Sequence, residues 1–349
     1  MNSHRSFPSH LVSVRDLDRD QVKDLFSCVT AFRDMPRAEA SAYLRDYVVA
    51  MIFYQPSTRT RLGFEAAALR LGASVIGFAD PSTTRSVDYI GETLEDTIQV
   101  VAELSDAIVM RHFVAGAANR AAAVSSRPVL NGGDGSNEHP TQALADAWVM
   151  ASRLGDLEGA VIGLVGDPGT RVLRSLTLLL AMLKVKRMLF VVPPIAPLMS
   201  GYASSSFVHT TLPGDLRAAL NSHGIEHDFR SDVSDLLTEA DAIEMMPIGI
   251  PALEAVPASL RKQQNITPEQ FRVTAAKIRA TGSKTLVLHP GPRKDELSPE
   301  VDSLPNGLYF DQVRESVFVR MAVLAQLCGA NLRRTDRPDA AGVQEAKAT

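Results

Sequence analysis

The run Phe53-Tyr54-Gln55-Pro56-Ser57-Thr58-Arg59-Thr60-Arg61 closes an apolar, strand-like stretch and opens a helix with hydroxyls and arginines. Free N–H groups at a helix start carry the positive end of the backbone dipole, and Ser57, Thr58, Arg59 and Thr60 add donors that suit a tetrahedral dianion. Hydroxyls also cap helices that bind nothing, so the reading rests on what lies beside this run. Arg111, followed by His112, comes after the apolar stretch 107–110, which puts a cation at a strand's carboxyl end. The glycine-rich turn 132–135 leads into Glu138-His139-Pro140-Thr141-Gln142, where His139 and Gln142 stand three apart and share a helix face. His289-Pro290-Gly291-Pro292 follows the apolar stretch 285–288, and Arg171 ends the turn Gly166-Asp167-Pro168-Gly169-Thr170 after 160–165.

Two series of elements are needed to position these groups. Apolar runs rich in β-branched residues at 47–54, 74–78, 107–110 and 128–130 read as strands, as do 160–165, 188–192, 242–245 and 285–288. Helical stretches separate them, among them 172–183, 215–223 and 268–280. The alternation predicts an α/β fold: two doubly wound domains with parallel sheets, joined by long helices, with ligands at the carboxyl ends of the strands. A helix over 141–153 and a turn over 154–159 mark the boundary. Residues 1–150 then form the first domain and 151–310 the second, 311–330 a terminal helix returning to the first, and 331–349 a fraying tail. The stretches 193–206 and 247–267 read as loops.

A chain of 349 residues is long for one hydrophobic core, and 45% hydrophobic with 22% charged residues is ordinary globular composition. The net charge of −4 gives no basic footprint for nucleic acid or an anionic membrane, so an anionic ligand must meet a local basic site. Cys28 and Cys328 alone suggest neither a disulfide framework nor a cysteine metal site. No apolar stretch is long enough to cross a bilayer. The expectation is a cytoplasmic protein without nucleic-acid or membrane partner, metal or cofactor.

Taken with the continuation GFEAAALRLGASVIGF, these segments resemble the aspartate and ornithine carbamoyltransferase family and keep its order along the chain. Residues 91–97 and Tyr309-Phe310-Asp311-Gln312 match as well, so the resemblance covers most of 47–327. It is closest to the aspartate branch, through H-P-T-Q preceded by G-D-G-S-N and through H-P-G-P. The resemblance implies that Ser57, Thr58, Arg59 and Thr60 hold the phosphate of carbamoyl phosphate, and that Arg111 meets both phosphate and carbonyl oxygen. It implies that His139 and Gln142 touch the carbonyl oxygen and the amide, and that the Pro290 and Gly291 carbonyls accept from the carbamoyl NH₂. Ser86 matches a serine donated across a subunit interface, which implies a homotrimer with shared sites. Arg171 matches the arginine that takes the α-carboxylate of the second substrate.

In the implied reaction a neutral amine attacks the carbonyl carbon and phosphate leaves, taking the amine proton as it goes. Arg59, Thr60, Arg111, His139 and Gln142 form the catalytic set, and loss of one oxyanion donor of this kind costs about 2.7–4 kcal/mol. The acceptor half departs from the family: its active-site lysine falls at Ile90, and its arginine and the glutamine two residues on fall at Pro247 and Gly249. Gln55 stands where a glutamate bridges the domains. A second carboxylate would lie there without a charge partner, which is costly when buried. The expected acceptor is therefore a small amino acid or related amine other than aspartate, its α-carboxylate on Arg171 and a less acidic remainder against Pro247 and Gly249, giving a ureido product. The alternative is a catalytically silent paralogue serving as a binding or structural subunit, a role that does not need the full donor set. A dinucleotide enzyme is a third reading, but the 166–169 turn lacks G-x-G-x-x-G spacing.

Overall fold

The computed structural model describes residues 6–84, 91–192, 212–248 and 267–329, within which nine strands form two parallel sheets. Strands β1 (Val48–Phe53), β2 (Ser74–Phe78), β3 (Ala107–His112) and β4 (Val129–Asp134) are ordered β2-β1-β3-β4. Strands β5 (Val161–Val165), β6 (Arg187–Val191), β7 (Glu226–Arg230), β8 (Ala242–Met245) and β9 (Leu286–Leu288) are ordered β7-β6-β5-β8-β9. Each order reverses once, at β1 beside β3 and at β5 beside β8, and at such points a crevice opens beyond the carboxyl ends of the strands. Register sets Phe53 opposite Arg111 and Val165 opposite Met245, so the residues following these strands start level with one another.

Helices α1 (Arg19–Asp34), α2 (Arg37–Ala40), α3 (Thr58–Arg70), α4 (Leu94–Leu104), α5 (Ala117–Val124) and α6 (Pro140–Leu154) belong to the first half. The second half adds α7 (Arg171–Met182), α8 (Gly214–His223), α9 (Val233–Glu239), α10 (Ala275–Thr281) and the terminal α11 (Tyr309–Leu327). Apart from the edge strands β2 and β7, whose side chains are largely exposed, the strands are buried on both faces, and their period of two divides the interior. Met51, Phe53 and Val109 of the first sheet join Ile162, Leu164 and Phe190 of the second in one cluster running through α6, α7 and α11. Their neighbours Ile52, Ile108 and Met110 face α4 and α5, while Leu189, Val191 and Ile243 face α9 and α10. The halves therefore share a central core, because α6 and α7 pack on each other between the sheets and α11 packs back on α1, α3 and α6.

Several elements differ from the sequence reading. Strands β3 and β4 extend past their apolar runs, to His112 and Asp134, because they keep pairing there and because Asn131 braces the glycines. The Asn131 Oδ1 accepts from Gly133 N at 2.8 Å, while Nδ2 donates to Val12 O at 2.9 Å. The expected helix over 268–280 is instead a 3-10 turn, Glu269–Phe271, followed by α10. Thr274 starts that second helix afresh, its side chain accepting from Lys277 N at 3.1 Å. Edge strand β7, of sequence EHDFR, carries almost no apolar signal, since its outer residues are exposed. The loops at 193–206 and 247–267 fall largely outside the described residues, and the tail 331–349 wholly so.

Candidate active site

A cavity of about 590 Å³ opens where the carboxyl edges of the two sheets meet. The first half contributes Pro56, Ser57, Thr58, Arg59, Thr60, Arg111, Gly135, Ser136, His139 and Gln142; the second contributes Thr170, Arg171, Val172, Met246, Pro290, Gly291 and Pro292. Four motifs spread over more than 230 residues of chain thus line one space. Pro247 follows Met246 but does not line the cavity. Ser86, Gly249 and Ile90 lie outside the described residues.

Three helices begin at this cavity, and none is capped by a side chain. Ser57 before α3, His139 before α6 and Thr170 before α7 make no side-chain cap hydrogen bond, whereas α1 is closed by Asp18, which accepts from Gln21 N. An α3 that merely ended in solvent would use the Ser57 hydroxyl as a cap. Left uncapped, the N–H groups of α3 turn toward the cavity with the positive end of the dipole.

Arg59, Arg111 and Arg171 line the cavity, and no carboxylate does among the described residues. Burial, with Arg171 and then Arg59 nearby, pushes Arg111 down to about 9. Its Nη1 donates to Gly132 O at 3.3 Å, and its buried Nε has no hydrogen-bond partner among the described residues. Arg171 donates to Gly135 O at 2.8 Å; burial lowers its pKa, partly offset by Asp134. Guanidiniums crowded and partly desolvated in a cavity whose wall holds no carboxylate among the described residues are poised for an anion. Gly133, at φ +110°, allows the approach: a Cβ there would meet Arg171 Nε at 3.1 Å and His139 Cδ2 at 3.2 Å.

His139 Nε2 sits 3.2 Å from Thr60 Oγ1, and its backbone N donates to Ser175 Oγ at 2.9 Å. Burial, followed by the fields of Arg111, Arg171 and Arg320, holds its pKa well below the ordinary value, so the imidazole is neutral. Gln142 donates through Nε2 to Asp146 Oδ1 at 2.7 Å. Across the cavity Gly291 N donates to His289 Nδ1 at 2.8 Å, which leaves the His289 hydrogen on Nε2 to donate to Glu296 Oε1 at 2.9 Å. Gly291, at φ +71°, lies flat against Arg59: a Cβ would meet the guanidinium carbon at 2.7 Å. Gln55 Oε1 is buried without a hydrogen-bond partner among the described residues. Sequence reasoning passed over Val172, Met246 and Ser136 as cavity residues; each sits within a few residues of a recognised motif, and adjacency was the only signal they offered.

A two-domain α/β fold with an anion-binding pocket at paired switch points describes a class of group-transfer proteins, and the comparisons narrow it. The family model for the aspartate/ornithine carbamoyltransferase carbamoyl-P binding domain matches residues 9–152, and that for the Asp/Orn binding domain matches 158–327. The chain belongs to the aspartate/ornithine carbamoyltransferase family. It is 36% identical over 328 residues to a chloroplastic aspartate carbamoyltransferase of Arabidopsis thaliana, covering 91% of this chain and 77% of the relative. Among solved structures, the catalytic subunit of M. Jannaschii aspartate transcarbamoylase aligns with TM-score 0.77 at 31% identity, covering 93% of this chain and 99% of that one. Aspartate transcarbamoylase from Trypanosoma cruzi in complex with carbamoyl phosphate and aspartate aligns with TM-score 0.76 at 29% identity, covering 92% and 97%.

Proposed function

We propose that this protein transfers the carbamoyl group of carbamoyl phosphate to the amino group of a small amino acid, releasing phosphate and a ureido product. The observation that carries the reading is the composition of this cavity: an uncapped α3 start and an acid-free cluster of Arg59, Arg111 and Arg171 around a neutral His139 beside Thr60. Ser57, Thr58, Arg59 and the first N–H groups of α3 hold the phosphate. Arg111, Thr60 and His139 converge on the carbonyl oxygen, where negative charge grows as the amine attacks. Gln142, Pro290 and Gly291 receive the carbamoyl NH₂. The leaving phosphate takes the amine proton.

Arg171 receives the acceptor's α-carboxylate. The remainder of the acceptor meets Val172 and Met246, an apolar wall that favours an uncharged or weakly polar side chain. Aspartate is the second reading, favoured by the names the relatives carry. The assembly is a homotrimer, with Ser86 supplied to the neighbouring subunit's site. A donor half this complete has no use in a purely structural subunit, which speaks for the enzyme.

The test is to offer the purified protein carbamoyl phosphate with aspartate, ornithine, 2,3-diaminopropionate, neutral amino acids and simple amines, measuring phosphate and ureido product together. Ureido product from an amino acid with a neutral or short side chain, at higher kcat/KM than from aspartate, is the expected result. Efficient turnover of aspartate alone would overturn the acceptor assignment, and no ureido product from any amine would overturn the transferase reading.

A further inference from the structure

Behind Gln142, away from the cavity, lies a buried polar relay that the reaction does not touch. The Gln312 amide, on the first turn of α11, sits at its centre. Its Oε1 accepts from the backbone N–H of His289 at 2.9 Å, and its Nε2 donates to Asp146 Oδ1 at 2.5 Å and to Glu244 Oε1 at 3.1 Å. Asp146 Oδ1 accepts in turn from Gln142 Nε2 at 2.7 Å. Asp146 and Glu244 are fully buried, and Gln312 is 2% exposed.

The orientation of each amide follows from chemistry. A backbone N–H can only donate, so the Gln312 atom facing His289 must be the carbonyl oxygen, and the NH₂ must face the two carboxyl groups. The Asp146 oxygen that takes one Gln312 hydrogen also takes one from Gln142. Gln142 is then held with its NH₂ inward, which leaves its carbonyl oxygen for the cavity it lines. The other end of the relay grips His289, next to Pro290 and Gly291. Asp146 lies on α6, Glu244 on β8 and His289 after β9, so one amide ties together both halves of the site.

We propose that Asp146 and Gln312 are positioning residues for the carbamoyl end of the site: they turn the Gln142 carbonyl oxygen to the cavity and hold it in register with the His289–Gly291 turn. The consequence is selectivity for a ligand that carries an NH₂ beside its phosphate, since a carbonyl oxygen accepts from NH₂ and repels a second oxygen in that place. The inference rests on the carbamoyl phosphate reading above. Glu244 keeps the second Gln312 hydrogen occupied, and burial together with the neighbouring Asp146 holds its pKa well above the ordinary range, so one proton stays in the pair.

The test compares the affinity of the full chain for freshly prepared carbamoyl phosphate and for inorganic phosphate, which fills the cradle but has no NH₂. Asp146→Leu is expected to weaken carbamoyl phosphate by about tenfold, the worth of a lost neutral hydrogen bond or slightly more, and to leave inorganic phosphate unchanged. Asp146→Asn still offers an oxygen to both amides and should restore affinity close to that of the unaltered protein. Gln312→Leu, which removes the anchor without changing a charge, should give the same selective loss and serves if Asp146→Leu does not fold. Equal losses for both ligands, or no loss for either, would overturn the positioning role. If the unaltered protein binds carbamoyl phosphate no more tightly than inorganic phosphate, the carbamoyl reading itself fails and this inference falls with it.

Discussion

Thr60 Oγ1 lies 3.2 Å from His139 Nε2, although one residue sits on the first turn of α3 and the other precedes α6. Both are 3% exposed. The contact joins the phosphate cradle to the H-P-T-Q segment, and it places a hydroxyl and an imidazole on one point of the cavity wall, next to Arg111. Preorganised donors aimed at a developing oxyanion act most strongly in a dry site, where they need not reorient during the reaction.

His139 should act without titrating. Its lowered pKa means that it gains a proton only well below 6.5, so the imidazole is neutral through the physiological range. The pH profile of kcat should therefore show no limb from His139 between about pH 6 and 8, and His139→Ala should lower kcat by about 10²–10³-fold while leaving the shape of the profile unchanged there. A limb near pH 6.5 that disappears in the variant would mean that His139 is charged during turnover.

Arg111 sets function against stability. An arginine stays protonated in a protein, so a folded-state pKa pushed down to about 9 measures how poorly the empty site tolerates its charge. A base with a depressed pKa destabilises the fold while it is charged; the penalty is full below that value and fades only as the pH rises through it toward the unfolded one. Arg111→Met should thus melt at or above the temperature of the unaltered protein at pH 7 and lose turnover by about 10²–10³-fold. Paired calorimetry and initial-rate assays decide the matter, and a variant that melts far lower while keeping its rate would contradict both halves of the argument.

Much of this site could be read before the fold was known, for a physical reason. Backbone N–H groups, hydroxyls and arginines that recognise a phosphate must lie close together in sequence, because one helix start supplies most of them; hence 57–60 announced itself. The strands that lead to Arg111 and His289 were legible from their apolar runs, because β3 and β9 are buried within their sheets. Strand β7 lies at an edge with half its side chains in solvent and gave no such run. The role of Asp146 escaped for another reason: an aspartate in a helix is unremarkable until Gln312, more than 160 residues away, meets it at 2.5 Å. Met246 and Val172 were equally silent, since an apolar residue at a strand or helix end looks the same whether it faces core or cavity.

Gly291 tests how closely the cradle is fitted. Its positive φ of 71° and the 2.7 Å approach of a built Cβ to the Arg59 guanidinium carbon leave no room for a side chain. Gly291→Ala must either shift Arg59 or open the His289–Pro292 turn, and both weaken the phosphate site. The expected result is a rise of about tenfold or more in KM for carbamoyl phosphate, with a smaller change in kcat, since a displaced Arg59 loses ground-state and transition-state binding together. If steady-state kinetics show KM unchanged, Arg59 does not rest against this turn when the ligand is bound.

The carboxyl pair behind the site should make stability depend on pH. Burial pushes Asp146 up from 3.8 to about 7, against the opposing hydrogen bonds from Gln312 and Gln142 and the field of Arg320, and raises Glu244 well above its ordinary value. A carboxyl with a raised folded-state pKa holds its proton more tightly folded than unfolded. Its contribution is therefore fully present below the unfolded value and is lost as the pH climbs through the folded one. For Asp146 that window runs from about 4 to about 7. Asp146→Asn removes the titration and keeps an oxygen for both amides, so its melting temperature relative to the unaltered protein should rise between pH 5 and pH 8. Glu244→Gln should show a trend of the same sign, because burial and the neighbouring Asp146 also raise the Glu244 pKa in the folded state. Thermal melts across that range would settle it: a difference between variant and unaltered protein that stays constant with pH would mean that neither carboxyl carries a displaced proton.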